Sequence, residues 1–98
     1  MILIRQVFQV KFGKAKDVKA LMQESKKLMD ERQQKNTRAM FDLTGPAYTL
    51  VWEFTQDSLS QWESEMNTMN NTKEWGEWYQ KFSQLMESSS REIYTIVE

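Results

Sequence analysis

The sequence predicts an α+β fold of ferredoxin-like β-α-β-β-α-β order, in which a four-stranded antiparallel sheet carries two helices on one face. Three observations predict it. The chain opens and closes on runs of alternating apolar residues, two stretches of helical periodicity stand between them, and Thr44-Gly45-Pro46 divides a pair of β-prone runs in the middle. No linker or internal repeat interrupts this order, so the 98 residues form a single domain, 1–98.

In the first strand, Ile2 to Phe12, the side chains of Ile2, Ile4, Gln6, Phe8, Val10 and Phe12 share one face, and Leu3, Arg5, Val7, Gln9 and Lys11 share the other. Gly13 breaks the strand. From Lys14 the period lengthens, and Val18, Leu21, Met22, Ser25, Leu28 and Met29 form the stripe of one amphipathic helix reaching about Gln34. Asn36 stops it. Thr37 to Leu43 and Ala47 to Phe54 then read as a hairpin. Asp57 or Ser58 can cap a second helix, whose apolar positions Leu59, Trp62, Met66 and Met69 resume beyond Asn70-Asn71-Thr72 as Trp75, Trp78, Tyr79, Phe82, Leu85 and Met86. The asparagines predict a break or kink. Ser88-Ser89-Ser90 closes the helix, and Glu92 to Val97 alternates as the last strand.

Helices on one face leave the other face of the sheet bare, although strand 1 places Leu3 and Val7 there. Such a surface needs a partner, and a homodimer with two sheets packed face to face is expected. The charge is split along the chain. Residues 1–38 carry ten Lys and Arg against four Asp and Glu, and residues 39–98 carry three against ten. Neighbouring helices of opposite sign read most simply as mutual complementarity and solvation.

Composition excludes several chemistries. Without Cys there are no disulfides, thiolate metal sites or cysteine nucleophiles, and without His there is no zinc site of the usual kind and no imidazole base. Only Gly13, Gly45 and Gly76 are available for a phosphate-binding loop, and no acidic cluster has calcium-loop spacing. No metal site is expected. The element order is shared with RNA-recognition modules, but the third strand, Tyr48-Thr49-Leu50-Val51-Trp52-Glu53-Phe54, lacks their Lys/Arg-Gly-aromatic signature. Nucleic acid is therefore not an expected partner. With no apolar run long enough for a membrane span and no signal-peptide pattern, no membrane partner is expected and the expected location is cytoplasmic.

Four Trp, three Tyr and five Phe, 12% of the chain, are its most unusual content. Most of them fill the core, since each ring buries roughly 150–250 Å². The others can wall a cleft between the sheet and helix 2 for a flat ligand, with Trp62, Trp75 and Tyr79 on the helix side. Gln6 is a polar exception on the helix-facing side of strand 1, and a buried amide requires partners in the protein or in a ligand. Arg5 faces the opposite way. Glu53 or Asp42 could pair with it, or it could hold a ligand carboxylate.

Val10-Lys11-Phe12-Gly13-Lys14 resembles the Val-Lys-Pro-Gly-Lys entry to the first helix of dimeric α+β barrel proteins. Glu74-Trp75, Trp78, Phe82, Leu85, Glu87-Ser88, Arg91-Glu92-Ile93-Tyr94 and Val97-Glu98 are similar to the helix 2 and strand 4 pattern of small bacterial NIPSNAP-like members of that superfamily. The resemblance implies a homodimer closing a barrel between subunits, with a ligand cleft between each sheet and its helices. It also relates the chain to antibiotic-biosynthesis-type monooxygenases, which oxidise aromatic polyketides or quinols without metal or flavin. A haem-degrading branch is similar at three places: an Asn matching Gln6, a Trp matching Trp62, and a haem-ligating His falling near Tyr79. Tyr in place of that His changes the chemistry.

The expectation is a NIPSNAP-like dimeric α+β barrel protein binding a small apolar or aromatic molecule through Gln6, Trp62, Trp75, Tyr79 and Arg5. No cofactor and no catalytic constellation are assigned. The alternatives are a cofactor-independent monooxygenase, for which Gln6, Tyr79, Tyr48, Glu53 or Arg5 would supply the polar groups, and a non-catalytic protein-interaction module.

Overall fold

A computed structural model describes all residues, 1–98. Strand β1 runs Ile2–Val10 and pairs antiparallel with β3, Thr49–Gln56, on one side and β4, Met86–Thr95, on the other; β2, Thr37–Phe41, closes the order β2-β3-β1-β4. This is the ferredoxin-like arrangement the sequence predicts. The parity of β1 holds: Ile4, Phe8 and Val10 are buried beneath the helices. Phe12 is a correction. The strand ends at Val10, Gly13 takes φ +82°, and Phe12, 85% exposed, packs only at the surface against Tyr48.

The first helical region is not one helix. Helix α1, Ala15–Ser25, passes through a short 3-10 turn, Lys26–Leu28, and stops where Met29 becomes extended. A five-residue helix α2, Glu31–Lys35, then begins in a new direction because Asp30 caps it. The Asp30 carboxylate accepts from the Gln33 N–H at 2.8 Å, and the Gln33 side chain accepts from the Asp30 N–H at 3.0 Å. The second region breaks at the asparagines as expected, into α3, Leu59–Asn70, and α4, Lys73–Ser83. Of the two proposed caps it is Ser58 that serves, its hydroxyl accepting from the Gln61 N–H at 3.2 Å.

The hairpin strands are shorter than their β-prone runs. Asp42 ends β2 by turning its carboxylate onto the Thr49 N–H at 2.9 Å, and Tyr48 lies in the turn with φ +59°. Strand β4 starts earlier than predicted. Ser88, Ser89 and Ser90 do not close a helix but pair with Gln9, Phe8 and Val7, because the β1 ladder offers their backbones partners that outweigh serine's weak strand preference.

The core lies at one end of the sheet, where α1 and α4 cover Phe8, Val10 and Leu50. Trp78 stacks on Phe82 with ring centroids 4.9 Å apart, Phe82 meets Phe8 edge-on at 5.0 Å, and Trp52 packs against both α4 rings. The Trp78 indole N–H donates to the Leu21 carbonyl at 2.7 Å, which pins α4 to α1 inside the core. No helix is long and apolar enough to cross a membrane.

Candidate functional site

Beyond Trp52 the packing opens. Helices α2 and α3 stand away from the other end of the sheet and enclose a cavity of about 270 Å³. Gln6 and Trp52 form part of its floor, Trp62 and Met66 of α3 one wall, and Trp75 and Tyr79 of α4 another. Two sequence features create this gap. Gln6 interrupts the apolar face of β1 between Ile4 and Phe8, and the Asn70–Thr72 break turns α4 away from α3 so that both helices face the same space.

Gln6, Trp62, Trp75 and Tyr79, read from the sequence as ligand-binding candidates, thus line one cavity. Arg5 does not. It projects from the opposite face of the sheet, where its Nε lies 3.5 Å from Glu53 and a terminal nitrogen 4.0 Å from Glu92. Adjacent strand residues point to opposite faces, so Arg5 and Gln6 cannot serve one site within a subunit. Glu53 is the partner Arg5 takes, whereas Asp42 is engaged in its turn. Tyr48 and Glu53 likewise lie outside the cavity wall.

Among the polar groups of residues that line the cavity, two sets differ in their partners. The first is internally satisfied. Glu65 of α3 accepts from Arg32 of α2 and from the Gln56 side-chain N–H of β3, joining three elements. Burial alone would raise the Glu65 carboxyl, but these hydrogen bonds and the Arg32 charge outweigh it and hold the group below the usual carboxylate range. The second set has no protein partner. The indole N–H groups of Trp52 and Trp62, residues only 7% and 9% exposed, are buried and unpaired, as is the Gln56 carbonyl. Trp78 supplies the contrast, since its N–H is used by the fold.

Glu65 and Arg91 also line this cavity and are not among the sequence candidates. Arg91 of β4 lays its guanidinium over the Trp62 ring, 4.9 Å from the centroid. A shallower hollow outside shares Trp62, Met66, Asn70 and Arg91 with the cavity, so these residues stand at its mouth. Glu65 had a visible signal: it follows Trp62 by three residues and must share its helix face.

Tyr79 is the residue a haem would need as its iron ligand. The chain has no His, and the cavity is smaller than the roughly 300–1,000 Å³ of drug-sized sites. The space is of a size for one or two rings, and Tyr79, 47% exposed, stands at its edge.

No protein-family model matches the chain, and no curated protein matches it in sequence. Solved structures do match it in fold. A NIPSNAP family protein from Agrobacterium tumefaciens superposes with a TM-score of 0.89 at 17% identity, covering 99% of this chain and 86% of that one. A NIPSNAP domain protein from Burkholderia xenovorans gives 0.82 at 11% identity, over 99% and 95%. A candidate antibiotic biosynthesis monooxygenase from Nitrosomonas europaea gives 0.75 at 14% identity over the whole of both chains. The fold is the one these NIPSNAP proteins and monooxygenase candidates share.

Proposed function

We propose that this protein is a NIPSNAP-like member of the dimeric α+β barrel superfamily that binds a small, flat, apolar or aromatic molecule in the cavity between its sheet and helices α3 and α4. One observation carries the reading: the rings of Trp52, Trp62, Trp75 and Tyr79 wall a cavity of about 270 Å³ between the sheet and the helices, with Gln6 on its floor. Ring faces offer a flat ligand its contact area, and a polar group on the floor orients it. Calorimetric titration with 2-naphthamide, an uncharged two-ring probe, tests it. The expected result is saturable binding that is weakened by Gln6→Leu and abolished by Met66→Trp, which fills the space. No binding by the unsubstituted protein means that the cavity is only a packing defect.

A second reading is supported by the monooxygenase candidates among the fold relatives. Cofactor-independent oxidation of an anthrone converts its CH₂ to C=O with one O₂ and releases one water, and of the polar groups the sequence offers for this role Gln6 and Tyr79 line the cavity. Oxygen uptake with stoichiometric quinone formation supports it, and unchanged anthrone and quinol substrates rule it out.

The partner of the helix-free sheet face is a second copy of this chain. Across that face Arg38, Glu53, Arg5 and Glu92 stand in register on β2, β3, β1 and β4, so charge alternates along one row. Read in the reverse direction, as a two-fold copy presents it, the row meets the opposite sign at each position.

A further inference from the structure

We propose that the occupant of the cavity is an aromatic acid and that Arg91, with the Gln6 amide beside it, receives its carboxylate; the inference rests on the ligand-binding reading above and adds the charge of the ligand. Three charged side chains line the cavity: Arg32, Glu65 and Arg91. Arg32 and Glu65 neutralise each other. Arg91 makes no salt bridge, so the lining carries one uncompensated positive charge, held against the face of Trp62 at the mouth. A guanidinium held over a ring by its charge and free of any carboxylate keeps its N–H fork for a planar acceptor, which a ligand carboxylate matches.

The sheet register places the rest of the recognition set in line. Arg91, Gln6 and Trp52 are direct cross-strand neighbours on β4, β1 and β3. Strands are about 4.8 Å apart, so Arg91 and Trp52 are roughly 10 Å apart along this row, the length of a one- or two-ring acid. Its carboxylate then lies at Arg91 and Gln6, whose amide has no hydrogen bond within the protein, and its rings lie over Trp52 toward Trp75. A phosphate ester fits less well, because a dianion would meet a single free cation and no glycine-rich loop is present.

The test compares 2-naphthoate with 2-naphthamide by calorimetry at pH 7 on the intact protein, on Arg91→Met and on Arg91→Lys, with thermal melts to verify each fold. Charge-assisted pairing predicts that the unsubstituted protein prefers the acid by about tenfold or more. Arg91→Met should bring that ratio to about one, with 2-naphthoate losing far more affinity than 2-naphthamide, and Arg91→Lys should keep part of the preference. Equal affinities in the unsubstituted protein overturn the carboxylate assignment and leave the aromatic cavity standing. A preference that survives Arg91→Met overturns the role of Arg91. If neither probe binds, the ligand-binding reading fails and this inference fails with it.

Discussion

Glu65 is the residue on which the cavity's architecture turns, because its one carboxylate ties α3 to α2 through Arg32 and to β3 through Gln56. The fold holds its pKa below the ordinary value of 4.5, so folding favours the ionised form. Its contribution is therefore fully present above that value and is lost as pH falls through the lower, folded-state value. At pH 7, Glu65→Gln should cost about 1 kcal/mol in urea denaturation. Below pH 4.5 the gap to the unsubstituted protein should narrow, since the unfolded chain's carboxyl then takes up a proton that the folded carboxylate resists. A gap independent of pH would mean the carboxylate's charge contributes nothing. Strand parity alone places Gln6 toward the helices and Arg5 away from them, and a helical count of three ties Glu65 to Trp62. Arg91 was not legible in this way, because reading Ser88–Ser90 as the end of a helix left the last strand's register unset.

At the scale of elements, the single long helix read from residues 14–34 and the two helices found differ by one local motif. Asp30-Glu31-Arg32-Gln33 has capping-box spacing in the sequence, but the apolar stripe through Leu28 and Met29 masks it. The consequence is functional, since α2 begins a new direction there and brings Arg32 over the cavity. Asp30→Ala should cost about 1 kcal/mol and speed amide hydrogen exchange across 31–35 while leaving α1 protected. Equal exchange in both proteins would mean that contacts with α3, and not the cap, hold α2. The Asn70–Thr72 break was legible because three polar residues interrupt a stripe of large apolar ones. Trp78 shows what periodicity cannot reveal: its stripe position marks it as core, but only the packed structure shows its N–H reaching Leu21. Trp78→Phe removes this bond between α4 and α1 and should lower stability by about 1 kcal/mol from the hydrogen bond alone, with the smaller ring adding to it, as measured by urea denaturation.

For the whole molecule, the two faces of the sheet set different requirements. The helix face is covered by the core at one end and opens into the cavity at the other, a space sized for a small molecule. The other face carries the Arg38-Glu53-Arg5-Glu92 row flanked by apolar positions, with Leu3 and Tyr94 on one side and Met40, Val51 and Val7 on the other. Glu53 on this face is only 9% exposed even in a single chain, because Arg5 and Arg38 close over it. A charge already desolvated and paired loses little more when a second sheet covers it, so the row does not oppose association and its alternation restricts how two copies align. The apolar flanks supply the attraction. Sedimentation should therefore give about twice the 11.7 kDa chain mass. Val7→Asp, which adds an unpaired carboxylate beside Val51 on this face, should reduce it to the single-chain value while preserving binding of 2-naphthamide on the far side. A single-chain mass for the unsubstituted protein would leave the apolar flanks exposed and the dimer reading without support. A Val7→Asp monomer that no longer binds the probe would mean that the cavity depends on the partner and that the two faces act as one unit.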